Sequence, residues 1–329
     1  MLNVTDVINR TDLTKLIGNT PLVPLNKIAA DCPAKILAKL EMCNIGGSIK
    51  DRLALFLIED AERAGQIKQG DTVIEVTSGN TGISVALVCA IKDYRALIVM
   101  SDKNSEEKQN MIKLYGAELV LTPHTAPPSD PRSNYSVAER LANEIPNSIY
   151  LDQYNNPANI ECHYRTTGPE IWEQTGGDIE AVVIGAGTGG TVSGVGKFLK
   201  EKDPSIKVIG IDTEGSILTH YFKTGEIIEG SHYEVEGIGS DIMVKALDFS
   251  VLDDMIVISD KEAFLTTRRI AQIEGVFCGG SSGSIYAGAL MAIKKHKLTG
   301  NIAIIFADSG NRYLSKLYSD KWMKAKGYI

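Results

Sequence analysis

Two rhythms of apolar residues alternate along the chain. Short runs rich in Ile, Val and Leu have the length and composition of strands: Ile36 to Glu41, Thr72 to Val76, Ala96 to Met100, Leu119 to Leu121, Ile149 to Leu151, Ala181 to Ile184, Lys207 to Ile211 and Asn301 to Phe306. Between them, apolar positions recur at helical spacing. Leu53, Phe56, Leu57, Ala61 and Ala64 form one such face, ended by Gly65. The same spacing predicts helices from Ile83 to Ala90, Glu106 to Tyr115 (closed by Gly116), Ser136 to Ile145, and Asn159 to about Glu173 as a single element. Val192 to Leu199, Lys261 to Glu274 and Ser284 to Lys295 complete the series.

Strands alternating with helices imply parallel sheets with helices on their faces. Pro123 to Asn134, with Pro127-Pro128 and Asp130-Pro131, breaks the rhythm and reads as a surface loop near a domain boundary. Gly215 to Asp241 reads as loop-rich. A length of 329 residues suits two domains with ample core. The economical arrangement is a pair of open, mostly parallel α/β sheets with a crevice between them.

Composition narrows the function classes. A hydrophobic content of 43% and a charged content of 23% are ordinary for a globular chain. The net charge of -7 comes without a basic run, which argues against a nucleic-acid partner and against an anionic membrane surface. No apolar run reaches the ~18 residues of a membrane span, and Met1 to Asp6 lacks the features of a signal peptide. The five cysteines show no Cys-x-x-Cys, and Cys162-His163 is an isolated pair without metal-ligand spacing, so no metal is expected. An odd cysteine count without a framework fits a reducing, cytoplasmic compartment. His124, His163, His220, His232 and His296 share no motif, and none is assigned a catalytic role.

The chemistry gathers in four glycine-bearing turns that open helices. Asn44 to Arg52 delivers Lys50 at the first turn of a helix, where Ser48 can cap with Asp51 three residues on. A free lysine amine, with a pKa of about 10.4, is protonated at neutral pH. The positive helix end and burial favour its uncharged, nucleophilic form, so Lys50 reads as the covalent anchor of a pyridoxal phosphate. A solvated helix-start lysine is the plainer alternative.

Gly185-Ala-Gly-Thr-Gly-Gly190 follows a strand and fits G-x-G-x-x-G, with Asp212 at the end of the next strand where a dinucleotide fold places its ribose ligand. The amides of Gly187, Thr188, Gly189, Gly190 and Thr191 require only an anion, and the two threonine hydroxyls suit a phosphate monoester. The loop alone leaves dinucleotide and monoester open. Thr77-Ser78-Gly79-Asn80-Thr81 is a second helix-start nest, rich in hydroxyls, able to hold a carboxylate; Asn80 adds a neutral donor for a ring oxygen. Cys278 to Ser284 is a turn of small residues. A serine such as Ser281, rather than an aspartate, at a pyridine nitrogen leaves that nitrogen unprotonated and suits elimination at the β carbon.

Gly46-Gly-Ser-Ile-Lys-Asp-Arg52, Thr77 to Gly82, Gly187 to Thr191 and Gly279 to Gly283 together resemble the cysteine synthase and cystathionine β-synthase family of fold-type II pyridoxal phosphate enzymes, over nearly the whole chain and in order. Ile58 to Arg63, Asn143 to Ser148, Leu151 to Tyr154, Glu214 to Leu218, Tyr233 to Gly239 and Ser319 to Met323 resemble the catalytic core of its cystathionine β-synthase branch.

The resemblance implies two open three-layer α/β/α domains of the tryptophan synthase β-like type. It makes 42–148 a smaller mobile domain, and 1–41 plus 149–329 a larger one carrying the phosphate loop. It implies that Lys50 binds pyridoxal 5'-phosphate covalently and acts as acid and base. Asn80 would touch the cofactor's ring oxygen, Gly187, Thr188, Gly189, Gly190 and Thr191 its phosphate, and Ser281 its ring nitrogen. Thr77, Ser78, Thr81 and Gln153 would clamp the substrate carboxylate, and Gly237 and Gly239 would border the opening for the second substrate. Apart from the resemblance, Tyr154 could hydrogen-bond at the reacting side chain, against a tyrosine that packs beside Gln153, and Glu236 could receive the amino group of an incoming amino-acid thiol, against an exposed loop glutamate.

The reaction implied is β-replacement, L-serine or an activated serine plus L-homocysteine giving L-cystathionine. The alternative is O-acetylserine plus sulfide giving cysteine, with hydrogen sulfide release from cysteine available to the same site. A homodimer is implied. The chain starts about a dozen residues before Ile17-Gly-Asn-Thr-Pro21 and ends at Ile329, so neither haem nor a regulatory module is expected. Ser240 stands where the cystathionine synthases carry a tyrosine, and Asp308 to Tyr313 resembles the cysteine synthases instead. A nicotinamide dehydrogenase and a non-catalytic sensor on the same fold are the rival readings.

Overall fold

The computed structural model describes residues 12–127 and 129–329; Met1 to Asp6 and Pro128, which entered the sequence reading, lie outside the described residues. The chain divides into two units, one of residues up to Thr20 with Cys43–Asp152, the other of Pro21–Met42 with Gln153–Ile329. Residues 12–20 therefore group with the smaller unit, whereas the sequence reading assigns them to the larger.

The larger unit opens with β1 (Leu22–Pro24) and β2 (Lys35–Leu40). The chain then builds the smaller unit: α1 (Lys50–Arg63), β3 (Thr72–Val76), α2 (Asn80–Lys92), β4 (Arg95–Ser101), α3 (Glu106–Leu114), β5 (Glu118–Thr122), α4 (Asn134–Glu144) and β6 (Ser148–Tyr150). Its strands run parallel in the order β5-β4-β3-β6. Every residue of β3 is buried. Since alternate residues of a strand face opposite ways, both sheet faces are covered, as a three-layer arrangement requires. Ile83 to Cys89 of α2 are buried without a break, so this helix lies in the core rather than along its edge. The loop between β5 and α4 is where the proline pattern places it, but it lies inside the smaller unit and not near a boundary.

Back in the larger unit follow α5 (Ala158–Arg165), α6 (Thr167–Thr175), β7 (Ala181–Gly185), α7 (Gly190–Lys202), β8 (Lys207–Thr213), α8 (Leu218–Thr224), β9 (Asp254–Ile258), α9 (Asp260–Glu274), α10 (Gly280–His296), β10 (Asn301–Phe306) and α11 (Asp320–Ala325). The sheet order is β1-β2-β10-β7-β8-β9, parallel except for β1. Its core combines Ile36, Ala38, Val183, Ile209, Ile304 and Phe306 from the strands with Ile285, Ala289 and Ala292 from α10.

Three boundaries differ from the sequence pattern. The single helix expected from Asn159 to Glu173 is two, because Thr166 leaves helical geometry at φ -122° and ψ -72°. Gly280 to Gly283 is the first turn of α10 rather than a turn ahead of it. A short helix, α8, stands within the stretch read as loop.

Candidate active site

In the smaller unit, α1 begins at Lys50, which is half-buried. The preceding loop is folded onto the helix start: Gly47 N donates to Asn44 O at 2.8 Å, Gly18 N to Asn44 Oδ1 at 2.8 Å, and Lys50 N to Ser48 Oγ at 3.3 Å. The capping pair expected of Ser48 and Asp51 forms only in part. Asp51, fully buried, accepts from Gly46 N at 2.7 Å and from Ser84 Oγ at 2.5 Å. Ser84 belongs to α2, so this carboxylate ties the lysine's helix to the helix that carries the carboxylate nest.

That nest joins β3 to α2. Thr77 and Thr81 are 3% exposed, Ser78 is exposed, and Asn80 is the first residue of the helix. Thr77 Oγ1 accepts from Gly79 N at 2.8 Å. Gly79 sits at φ +144°, a conformation that side chains disfavour, and a Cβ there would strike the stem of Lys108. First-turn amides of a helix have no partner inside it, so this turn has the kind of donors that an anion seat needs. Lys108, 1% exposed on α3, is a member of this neighbourhood that the sequence reading missed. Its only sequence signal is a lysine in the first turn of a helix.

The larger unit holds the second anion seat, between β7 and α7. Gly189, at φ +92°, turns the chain into α7 with no side-chain cap. A Cβ at Gly190 would collide with Asn159 Oδ1, and one at Gly187 would come within 2.6 Å of Gly237 O. The loop is therefore bare backbone pressed against α5 and the 237–239 loop, whose Gly239 N donates to Ala186 O at 2.7 Å. Gly237 and Gly239 both have positive φ, +90° and +81°.

Asp212, the expected ribose ligand of the dinucleotide reading, is fully buried and already engaged. It accepts from Thr213 N at 2.9 Å, Thr219 N at 2.8 Å and Thr219 Oγ1 at 2.7 Å, so it caps α8. With its carboxylate occupied, the dinucleotide reading loses its distinguishing residue.

Ser281 is 4% exposed at the start of α10. The neighbouring Cys278 thiol is pushed up to about 12 by burial, which keeps it a neutral wall. Gln153 is 2% exposed and its carbonyl accepts from Asn159 Nδ2 at 2.8 Å. Tyr154 is half-buried, its carbonyl accepting from Ala246 N at 3.3 Å. Glu236 is not a solvated loop residue: Lys316 Nζ donates to it at 2.7 Å, and both line a small cavity with Glu234, Phe264, Tyr313 and Trp322. Ser240 turns inward, its hydroxyl donating to Ile242 O at 2.6 Å.

Thus Lys50, Thr77, Ser78, Asn80 and Thr81 share the smaller unit, and Gln153, Tyr154, Gly187 to Thr191, Glu236, Gly237, Gly239 and Ser281 share the larger. The donor chemistry fits pyridoxal phosphate: a glycine-lined cradle with two hydroxyls for a phosphate, and a lysine at a helix start. Among the described residues no cluster of three His, Cys, Asp or Glu is arranged to hold a metal, and no helix is long and apolar enough to cross a membrane.

Comparison with known proteins gives concordant results. The sequence profile of the pyridoxal-phosphate dependent enzyme family matches residues 13–308. The chain is 48% identical over 320 residues to cystathionine beta-synthase of Mus musculus, covering 97% of this chain and 57% of that protein. It is 44% identical over 313 residues to the Dictyostelium discoideum cystathionine beta-synthase, covering 95% and 62%. The chain thus spans about three fifths of the length of these relatives. Among solved structures, O-ureido-L-serine synthase superposes with a TM-score of 0.86 at 35% identity, covering 96% of this chain and 99% of that one. A hydrogen sulfide-producing enzyme from Fusobacterium nucleatum gives 0.85 at 34%, covering 92% and 99%.

Proposed function

Because this chain belongs to the pyridoxal-phosphate dependent enzymes, we propose that it catalyses β-replacement on an amino acid, joining L-serine or an activated serine to L-homocysteine to give L-cystathionine. The observation that carries this reading is 43 to 48% identity to cystathionine beta-synthases over 95 to 97% of the chain. When bound, the cofactor supplies a pyridine ring that draws off the electron pair left when the α proton departs.

The chain's own residues do the rest. Lys50 holds the cofactor and, once its amine is freed, takes the α proton and later returns it; the positive end of α1 favours the uncharged amine this requires. The amides and hydroxyls of Thr77, Ser78 and Thr81, with Gln153, hold the substrate carboxylate and so fix which substituent faces Lys50. Asn80 serves the cofactor's ring oxygen. Gly187, Thr188, Gly189, Gly190 and Thr191 hold its phosphate, and Ser281 meets its ring nitrogen without charging it. Gly237 and Gly239 border the opening for the thiol, and Tyr154 and Glu236 act on acceptor choice. A homodimer in the cytoplasm is the proposed setting, with no nucleic-acid or membrane partner.

A second reading, sulfide as acceptor, is favoured by Ser240 with its inward-turned hydroxyl and by Asp308 to Tyr313. One competition assay decides between them. Purified enzyme is given serine, O-acetylserine, O-phosphoserine or cysteine with homocysteine and sulfide together, and the products are resolved by mass. Cystathionine as the main product supports the first reading; cysteine alone overturns it. Borohydride reduction followed by peptide mapping is expected to find the phosphopyridoxyl group on Lys50, and Lys50→Ala is expected to lose that adduct together with about 10²-fold or more of the rate.

A further inference from the structure

The two threonines of the phosphate loop are each held from behind by one helix. Asn159 and His163 stand one turn apart on α5, both fully buried. Asn159 Nδ2 donates to Gln153 O at 2.8 Å and to Thr188 Oγ1 at 3.2 Å. His163 Nδ1 lies 2.9 Å from Thr167 Oγ1, and Nε2 lies 3.2 Å from Thr191 Oγ1. The helices can approach this closely because a Cβ at Gly190 or Gly194 of α7 would strike α5.

Hydrogen accounting turns these contacts into a polarity. The Gln153 carbonyl can only accept, which fixes the Asn159 amide with its nitrogen toward both partners. Thr188 Oγ1 must then accept, so its own proton is left to be given away. His163 admits two tautomers, and they have opposite consequences for Thr191. With the proton on Nε2, the imidazole donates to Thr191 and Thr167 donates to Nδ1; Thr191 then gives its proton to the ligand, as Thr188 does. With the proton on Nδ1, Thr191 spends its proton on Nε2 and turns lone pairs toward the phosphate.

Resting on the assignment of this loop to the cofactor phosphate, we infer that Asn159 and His163 are positioning residues that make both loop hydroxyls obligate donors. In this arrangement His163 carries its proton on Nε2 toward Thr191, and the Thr167 hydroxyl, which can either donate or accept, donates to Nδ1. The cradle then offers donors only, and it selects a fully ionised phosphate monoester, whose three terminal oxygens all accept. A diester pyrophosphate supplies fewer acceptors at one phosphorus.

The test uses holoenzyme. In protein labelled with 15N-histidine, the His163 ring resonances report the tautomer directly: a protonated Nε2 is expected, and a protonated Nδ1 overturns the inference. His163→Phe, which keeps a buried ring but no nitrogen, is expected to shift the 31P resonance of the bound cofactor and to weaken cofactor binding about tenfold, with partial rescue in His163→Gln. An unchanged 31P resonance and unchanged affinity in His163→Phe also overturn it. Should that variant fail to fold, the 15N spectrum of the unaltered holoenzyme decides alone. Thr191→Val separates the two levels of the argument. If it leaves the 31P resonance in place, the loop assignment itself falls; if it moves the resonance while His163→Phe does not, only the positioning role falls.

Discussion

Cys89 and Cys278 are sealed in the core, and burial pushes both thiols up to about 12. An unfolded thiol titrates near 9. Below that value both states keep the proton; between about 9 and 12 the unfolded chain releases it and the folded chain does not. The stability this burial contributes is therefore fully present below pH 9 and lost as pH rises toward 12. Native protein at pH 8 is expected to take a thiol label at the exposed Cys43 while Cys89 and Cys278 stay unmodified, read by mass mapping after brief labelling. A label on Cys278 at the Cys43 rate would contradict this. At this scale, what was legible in the sequence was what is local. Lys50, Thr77 to Thr81 and Gly187 to Thr191 each announce themselves within a few consecutive residues. Asn159, His163 and Lys108 do not, because their roles come from which helix packs against which loop. Asp212 shows the converse: a strand-end acid serves a ribose or caps a helix equally well on paper, and only the approach of Thr219 distinguishes them.

β9 and α10 meet through one carboxylate. Asp254, at the start of the edge strand, accepts from Lys295 Nζ at 2.6 Å and from His296 Nε2 at 2.8 Å, both in the last turn of α10, where cations also favour the helix dipole. Burial by itself would raise this carboxyl, but the hydrogen bonds from Lys295 and His296 outweigh it and hold it below its ordinary 3.8. A depressed carboxylate contributes stability above pH 3.8 that disappears as pH falls through the lower folded value. Asp254→Asn is expected to cost about 0.5–1 kcal/mol at neutral pH, since Lys295 is largely solvated. The gap from wild type should narrow progressively as urea unfolding titrations are taken further below pH 3.8. Most elements were legible because their apolar period is long and their ends carry glycine. The exceptions have local causes. The break at Thr166 is written in the Gly168-Pro169 pair just beyond it, since Pro169 has no N–H to give to the Arg165 carbonyl, and the Thr166 hydroxyl donates back to Cys162 O at 2.7 Å. β1 is three residues long and ends in Pro24, which marks an edge strand but is too short for a periodic signal. β9 escaped notice as a short apolar run at the other edge of the same sheet.

At the scale of the whole chain, the fold class was open to sequence reading while the division into units was only partly so. The alternation of strand and helix says parallel sheets, but nothing in the residues before Thr20 says that they group with Cys43–Asp152. A cofactor that binds the folded chain and not the unfolded one stabilises the former by mass action. Stripping pyridoxal phosphate is expected to lower the melting temperature by roughly 5 °C or more, given about 2.7 kcal/mol of linkage at a hundredfold excess over the dissociation constant. Calorimetry of the stripped and reloaded protein checks this, and identical melting of the two forms would contradict it.

In the larger sheet β2 lies between β1 and β10, its residues 35–40 in register with 301–306. One partner of this pair leaves the ribosome long before the other. While some 260 residues are still to be translated, the nascent β2 has an open hydrogen-bonding edge and an apolar face with no lasting neighbour, whereas strands β3 to β6 are made consecutively and can pair as they emerge. Translation thus favours the inserted segment as the first to settle, and leaves the sheet that carries the 187–191 loop dependent on the arrival of β10.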